Sequence, residues 1–209
     1  MKLRLLAITL LSFNVQAEIL DTITDTFSIS FGSDTTATLN ASYDLNDSWR
    51  VFGEVDTEGY GEFGFGYSFL TGSVYHEIAG YVSSPGRLSE FSVKPWLGYF
   101  VAGYVTDSTV LYGSLDLGYD QAEPINTVHK TNVDTSLGLV QEVTDWLSFG
   151  YEFSHYHSFH VAKHWGNKGS MNTHEVSAMF NIKGVKPTIR YHISEDFDNY
   201  IELGLSFDF

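Results

Sequence analysis

The chain of 209 residues has no cysteine, four prolines, and eleven lysines and arginines against twenty-six aspartates and glutamates. The first absence excludes disulfides and thiolate metal sites, so nothing of that kind can staple an extracellular fold. The scarcity of proline leaves long stretches free to pair as strands, because proline cannot donate to a β-ladder. The scarcity of basic residues gives a formal charge of −15. That excludes nucleic acid and anionic polymers as partners, since both are held by basic surface. No later stretch approaches the ~18 consecutive apolar residues of a membrane-crossing helix.

What the chain does have is alternation. At its end Ile201, Leu203, Leu205, Phe207 and Phe209 take the odd positions, and Tyr200, Glu202, Gly204, Ser206 and Asp208 the even ones. A period of two puts one set on each face of a strand. The same pattern predicts eleven earlier strands, carried by Phe27–Phe31, Ala37–Leu45, Trp49–Val55, Phe63–Phe69, Val74–Val82, Phe91–Val105, Leu111–Tyr119, Val133–Leu139, Leu147–Phe153, Val176–Ile182 and Ile189–Ile193. In the fifth, His76 shares the apolar face. In the sixth, Pro95 stands mid-segment and predicts a bulge. If the first or fifth fails, the count falls to ten.

Two kinds of connection alternate. Short polar ones lie at Leu45-Asn46-Asp47, Leu70-Thr71-Gly72, Thr106-Asp107-Ser108, Thr144-Asp145 and Lys183-Gly184-Val185, with the residues of tight hairpin turns. The others are often longer, notably residues 120–131 and 155–171. A soluble β-sandwich also alternates, but needs no such regular, even count. Aromatics reach 16% and mean hydropathy is −0.08, the average expected of two opposed faces. At the N-terminus, Lys2 and Arg4 precede the apolar run Leu5 to Phe13 and the small-x-small site Val15-Gln16-Ala17. This predicts a signal peptide over residues 1–17 and one domain over 18–209.

The terminal alternation ending in Phe209, with the export signal before it, resembles bacterial outer-membrane β-barrels, where a C-terminal Phe is the usual assembly signal. The resemblance implies an all-β, transmembrane, antiparallel up-and-down barrel of twelve strands, or ten, with short periplasmic turns, longer extracellular loops and both termini periplasmic. It also implies outer-membrane lipids and lipopolysaccharide as surroundings, the barrel-assembly machinery as the reader of Phe209, a monomer, and no cofactor. In length and strand count the chain is similar to the oligosaccharide and sialic-acid channels. Those have basic lumens, so their substrate is not carried over.

If the apolar set faces lipid, the other lines the lumen. Its acids are Asp44, Glu54, Asp56, Glu62, Glu77, Asp116, Asp134, Glu152, Glu175 and Glu202, and its bases Arg50, Lys94 and Arg190. Carboxylates around a bore lower the energy of a cation, so the expected function is a narrow passive channel for small solutes with cation preference. Alternatively, the acids bond those bases and tyrosine hydroxyls in a plugged, non-conducting barrel whose outer loops contact lipid, a phage or a partner. A third reading is a lipid-modifying acyl hydrolase, because His155 or His157, Ser158 and Glu175 are the residue types of an acyl-transfer triad. Lipid A deacylases resemble this through a His-x-Ser pair, but Tyr156 holds the position the His would need. Five histidines, His155, His157, His160, His164 and His174, crowd one hairpin. Gathered imidazoles can take Zn²⁺, Cu²⁺ or Ni²⁺; the competing reading is a polar, aromatic rim at headgroup level. Trp49, Trp146, Tyr43 and Phe69 near the short turns read as one interfacial girdle, with Tyr119, Tyr191 and Phe153 at the other end.

Overall fold

A computed structural model describes residues 26–84, 93–120, 130–159, 169–195 and 198–208. Residues 1–17 and Phe209 lie outside them, as do His160 and His164. The described residues form twelve strands: β1 (Thr26–Gly32), β2 (Ala37–Asn46), β3 (Trp49–Asp56), β4 (Gly61–Thr71), β5 (Val74–Ser84), β6 (Lys94–Thr106), β7 (Thr109–Asp120), β8 (Lys130–Thr144), β9 (Leu147–Ser158), β10 (Ser170–Phe180), β11 (Val185–Ser194) and β12 (Tyr200–Asp208). Each pairs antiparallel with its chain neighbours, and β12 pairs back to β1, so the sheet closes. Closure removes the sheet edges and satisfies the backbone internally, which a bilayer demands of any strand crossing it.

The side chains are distributed in reverse of a soluble fold. Along β4, Phe63, Phe65, Tyr67 and Phe69 are exposed, while Glu62 and Ser68 are buried. Phe63 is 53% exposed and Ser68 only 7%. The same inversion runs round the wall through Leu97, Leu137, Ile189 and Leu203. An apolar belt outside and a polar lining inside is the lipid-facing arrangement.

The register fixes the width. Following Cα partners once round the barrel returns to β1 displaced by about 14 residues. With twelve strands, that stagger implies a tilt of about 40° and a backbone radius of about 12 Å.

The five short turns fall where the sequence put them. Asn46 Oδ1 accepts from the backbone N–H groups of Ser48 and Trp49, at 3.0 and 3.1 Å. Lys183 and Gly184 both have positive φ, 54° and 85°, as a two-residue hairpin turn requires. Ile182 is a correction: it forms only an isolated bridge to Val185 next to that turn, since β10 ends at Phe180. The sixth strand is another. Pro95 is the second residue of β6, not its middle, and faces Val82 without a register shift. A proline at a strand's start removes little pairing, and the irregularity falls at Tyr104/Thr106 instead. The longer connections are shorter than expected, because β7 and β8 run to Asp120 and Lys130, and β9 and β10 to Ser158 and Ser170.

Candidate functional site

The inner wall carries three pairs of like charge. Glu54 faces Glu62 across β3 and β4, Asp116 faces Asp134 across β7 and β8, and Glu152 faces Glu175 across β9 and β10. Like charges directly opposite destabilise a sheet, so something must hold these pairs. Tyrosines supply part of it. Tyr60 donates to Glu62 at 2.7 Å, Tyr81 to Asp116 at 2.9 Å and Tyr112 to Glu152 at 2.9 Å. In the β3–β4 loop, burial and then the charge of Glu62 push the Tyr60 hydroxyl well above its ordinary range, so it stays protonated and remains the donor. A hydroxyl satisfies a carboxylate's lone pair without cancelling its charge.

Cations neutralise only part of the set. Arg50 Nη2 meets Glu77 Oε1 at 2.7 Å, and Tyr75 donates to the other oxygen of Glu77 at 2.8 Å. Arg190 bonds Glu202, its Cα partner, and lies 3.7 Å from Glu175. His192 reaches Glu175 at 3.5 Å and stacks on Tyr200 with ring centroids 4.2 Å apart. Asp44 stands opposite Arg50, and Lys94 opposite Ser83.

Large rings share this wall, and their partners determine how they lie. Trp96 faces Gly118, Tyr112 faces Gly138, and Phe52 and Tyr81 face Gly64 from either side. A Cβ on any of these glycines would strike the ring covering it. The rings of Phe52, Trp96 and Tyr112 therefore lie over bare backbone of the wall. Tyr81 and Trp96 stack in parallel at 5.9 Å, and Trp96 Nε1 donates to Ser83 Oγ at 3.0 Å. Toward the short-turn end of β6–β8 the lining becomes apolar, with Ala102, Val110 and Tyr112 buried together. On β7–β11 it is small and hydroxylic: Ser114, Ser136, Ser154, Thr173 and Ser194 are successive Cα partners.

The predicted lumen residues thus lie on the inner face, with one correction. Asp56 is held at the rim, where its Oδ1 accepts the N–H groups of Glu58 and Tyr60 and caps the β3–β4 loop. Sequence reasoning missed His192 and the buried Lys186. Both share the parity of Arg190 in β11, which was the available signal.

The acyl-transfer residues are not brought together. His157 lies on the outer face, Ser158 follows it on the opposite side of the strand, and Glu175 faces Arg190 and His192 inside. His155, His157 and His174 also lie on the outer face, at the long-loop end of β9 and β10. Among the described residues, no three His, Cys, Asp or Glu side chains converge on a metal position.

A closed twelve-strand antiparallel wall with an apolar belt outside and a charged lining inside is the fold of a membrane-spanning β-barrel, the one the solved porins share. Among solved structures, the chain is similar to the NanC porin, at 11% identity and a TM-score of 0.71, covering 88% of this chain and 100% of that one. It is similar to the KdgM porin at 14% identity and a TM-score of 0.66, covering 90% and 99%. It resembles LpxR from Salmonella typhimurium at 9% identity and a TM-score of 0.57, covering 88% and 100%. No protein-family model matches the chain, and no curated protein matches it in sequence.

Proposed function

We propose that the protein is a passive outer-membrane channel that favours small cations and neutral polar solutes over anions. The observation that carries this reading is the lining: the rings of Trp96, Tyr112 and Phe52 lie over glycines of the wall, and among the described inner-face residues carboxylates outnumber basic side chains. A ring of acids attracts a cation and raises the energy of an anion. The likeness to the NanC and KdgM porins supports a channel on the same barrel. KdgM has also been solved in complex with disordered oligogalacturonate. That ligand is a polyanion, which the paired carboxylates here would repel, so the proposed solutes differ. By the usual barrel asymmetry the short turns face the periplasm, and both termini with them.

The test is reconstitution of the refolded barrel in a planar bilayer under a tenfold KCl gradient. The expected result is discrete conductance steps with a reversal potential of the sign that marks K⁺ as the more permeant ion. Absence of steps at high salt would leave the non-conducting surface barrel as the better reading, and an anion-selective sign would overturn the role given to the acids.

A further inference from the structure

We infer that the outer rim of β9 carries a chelating site for a divalent late-transition-metal ion, formed by His155 and His157. The two residues are two apart on one strand, so both side chains leave the same face. That face is the outer one, shared with Tyr151 and Phe153. The imidazoles lie near each other and nearly parallel, with centroids 6.3 Å apart and planes at 15°. Two imidazole nitrogens on one ion at about 2.0–2.1 Å put their ring centroids about 5 Å apart. Binding draws the two rings from 6.3 Å toward that separation by side-chain rotation that turns both nitrogens to one ion.

The neighbouring strand sets the chemistry of the first ring. Asn172 is the Cα partner of His155, and its Oδ1 lies 2.7 Å from His155 Nδ1. An amide oxygen only accepts, so Nδ1 carries the proton and Nε2 presents its lone pair. A ligating histidine is typically oriented by such a bond from its other nitrogen. His157 is braced edge-on against Phe159, with centroids 4.7 Å apart. Both histidines stand at the long-loop end of β9, beyond Tyr151. His174 stands opposite Phe153, two residue pairs below His155, with its Nδ1 2.8 Å from the Tyr151 hydroxyl. The set is thus a two-nitrogen surface chelate, and Cu²⁺ is the first-row divalent ion such a nitrogen pair holds most tightly.

This inference rests on the outer face and is independent of whether the bore conducts. The test is titration of the refolded full-length barrel in detergent with Cu²⁺, followed by tryptophan fluorescence and by electron paramagnetic resonance. One Cu²⁺ per barrel with hyperfine structure from two imidazole nitrogens is the expected result. His155→Ala and His157→Ala should each weaken binding at least tenfold, and Asn172→Ala should weaken it about tenfold through loss of the orienting bond. His174→Ala should leave it unchanged. Absence of binding, or undiminished binding in the His155→Ala/His157→Ala double variant, would overturn the site, the latter pointing to His160 and His164.

Discussion

At Gly138 the barrel's lining depends on a missing atom. The ring of Tyr112 occupies the space a Cβ there would take, and that position lets its hydroxyl reach Glu152 at 2.9 Å. Alanine at 138 forces the ring toward the bore, breaks that bond and leaves Glu152 with only Ser154, whose hydroxyl lies 3.3 Å away. Forcing extra volume into a packed site costs about 1–3 kcal/mol. Gly138→Ala should therefore lower stability by about that amount in urea unfolding and reduce unitary conductance, because the displaced ring narrows the path. Gly80→Ala is the control. A Cβ on Gly80 meets nothing within 4 Å, so stability and conductance should both hold. Equal losses in the two variants would mean that strand glycines matter here only as backbone, and the ring-over-glycine account would fall.

A strand shows the same logic as a gradient of depth. In β8, Leu137 lies at mid-strand and is 64% exposed, while Val143 lies one residue from the turn at 56%. Nearly equal exposure hides different surroundings: the first faces acyl chains, the second the interface. Arginine on the lipid face costs about 2–4 kcal/mol at the midplane and about 0–1 near the interface. Leu137→Arg should thus destabilise the folded barrel in liposomes severely and Val143→Arg hardly at all, as read from denaturant midpoints. A soluble sandwich would show no such depth dependence. The strands were legible beforehand because alternation is local: each residue's face follows from its neighbours' parity. The same parity placed Glu62, Asp116 and Glu175 inside. Register between strands is not local. Nothing in the sequence around Trp96 says that Gly118 lies opposite, or that Asp116 meets Asp134, since those pairings depend on the turns and on the stagger of the closed sheet. Pro95 was misread for a related reason. Continuous alternation from Phe91 to Val105 does not reveal where pairing begins, and the ladder starts at Lys94. His155 and Asn172 show the limit most plainly, because sixteen residues separate them in the chain and only the β9–β10 register makes them partners.

Over the whole molecule, the lining acts as a field rather than as separate contacts. The barrel backbone has a radius of about 12 Å, and side chains narrow the path further. The distance over which salt hides a charge is about 30 Å at 0.01 M, about 10 Å at 0.1 M and about 3 Å at 1 M. At the lowest of these, every point in the bore feels carboxylates on all sides; at the highest, an ion on the axis feels almost none. Selectivity that arises from Glu54, Glu62, Asp116, Asp134, Glu152 and Glu175 should therefore be strong in dilute salt and decline toward none at 1 M. Selectivity by size would be indifferent to salt. The Asp116→Asn/Asp134→Asn double variant separates the two further. It keeps the shape of a facing pair and removes both charges, and asparagine can still accept from Tyr81. Its reversal potential should move toward zero at 0.1 M while the conductance steps persist, with the difference from the parent vanishing at 1 M. A variant whose reversal potential matches the parent at every salt concentration would show that this pair does not face the permeating ion.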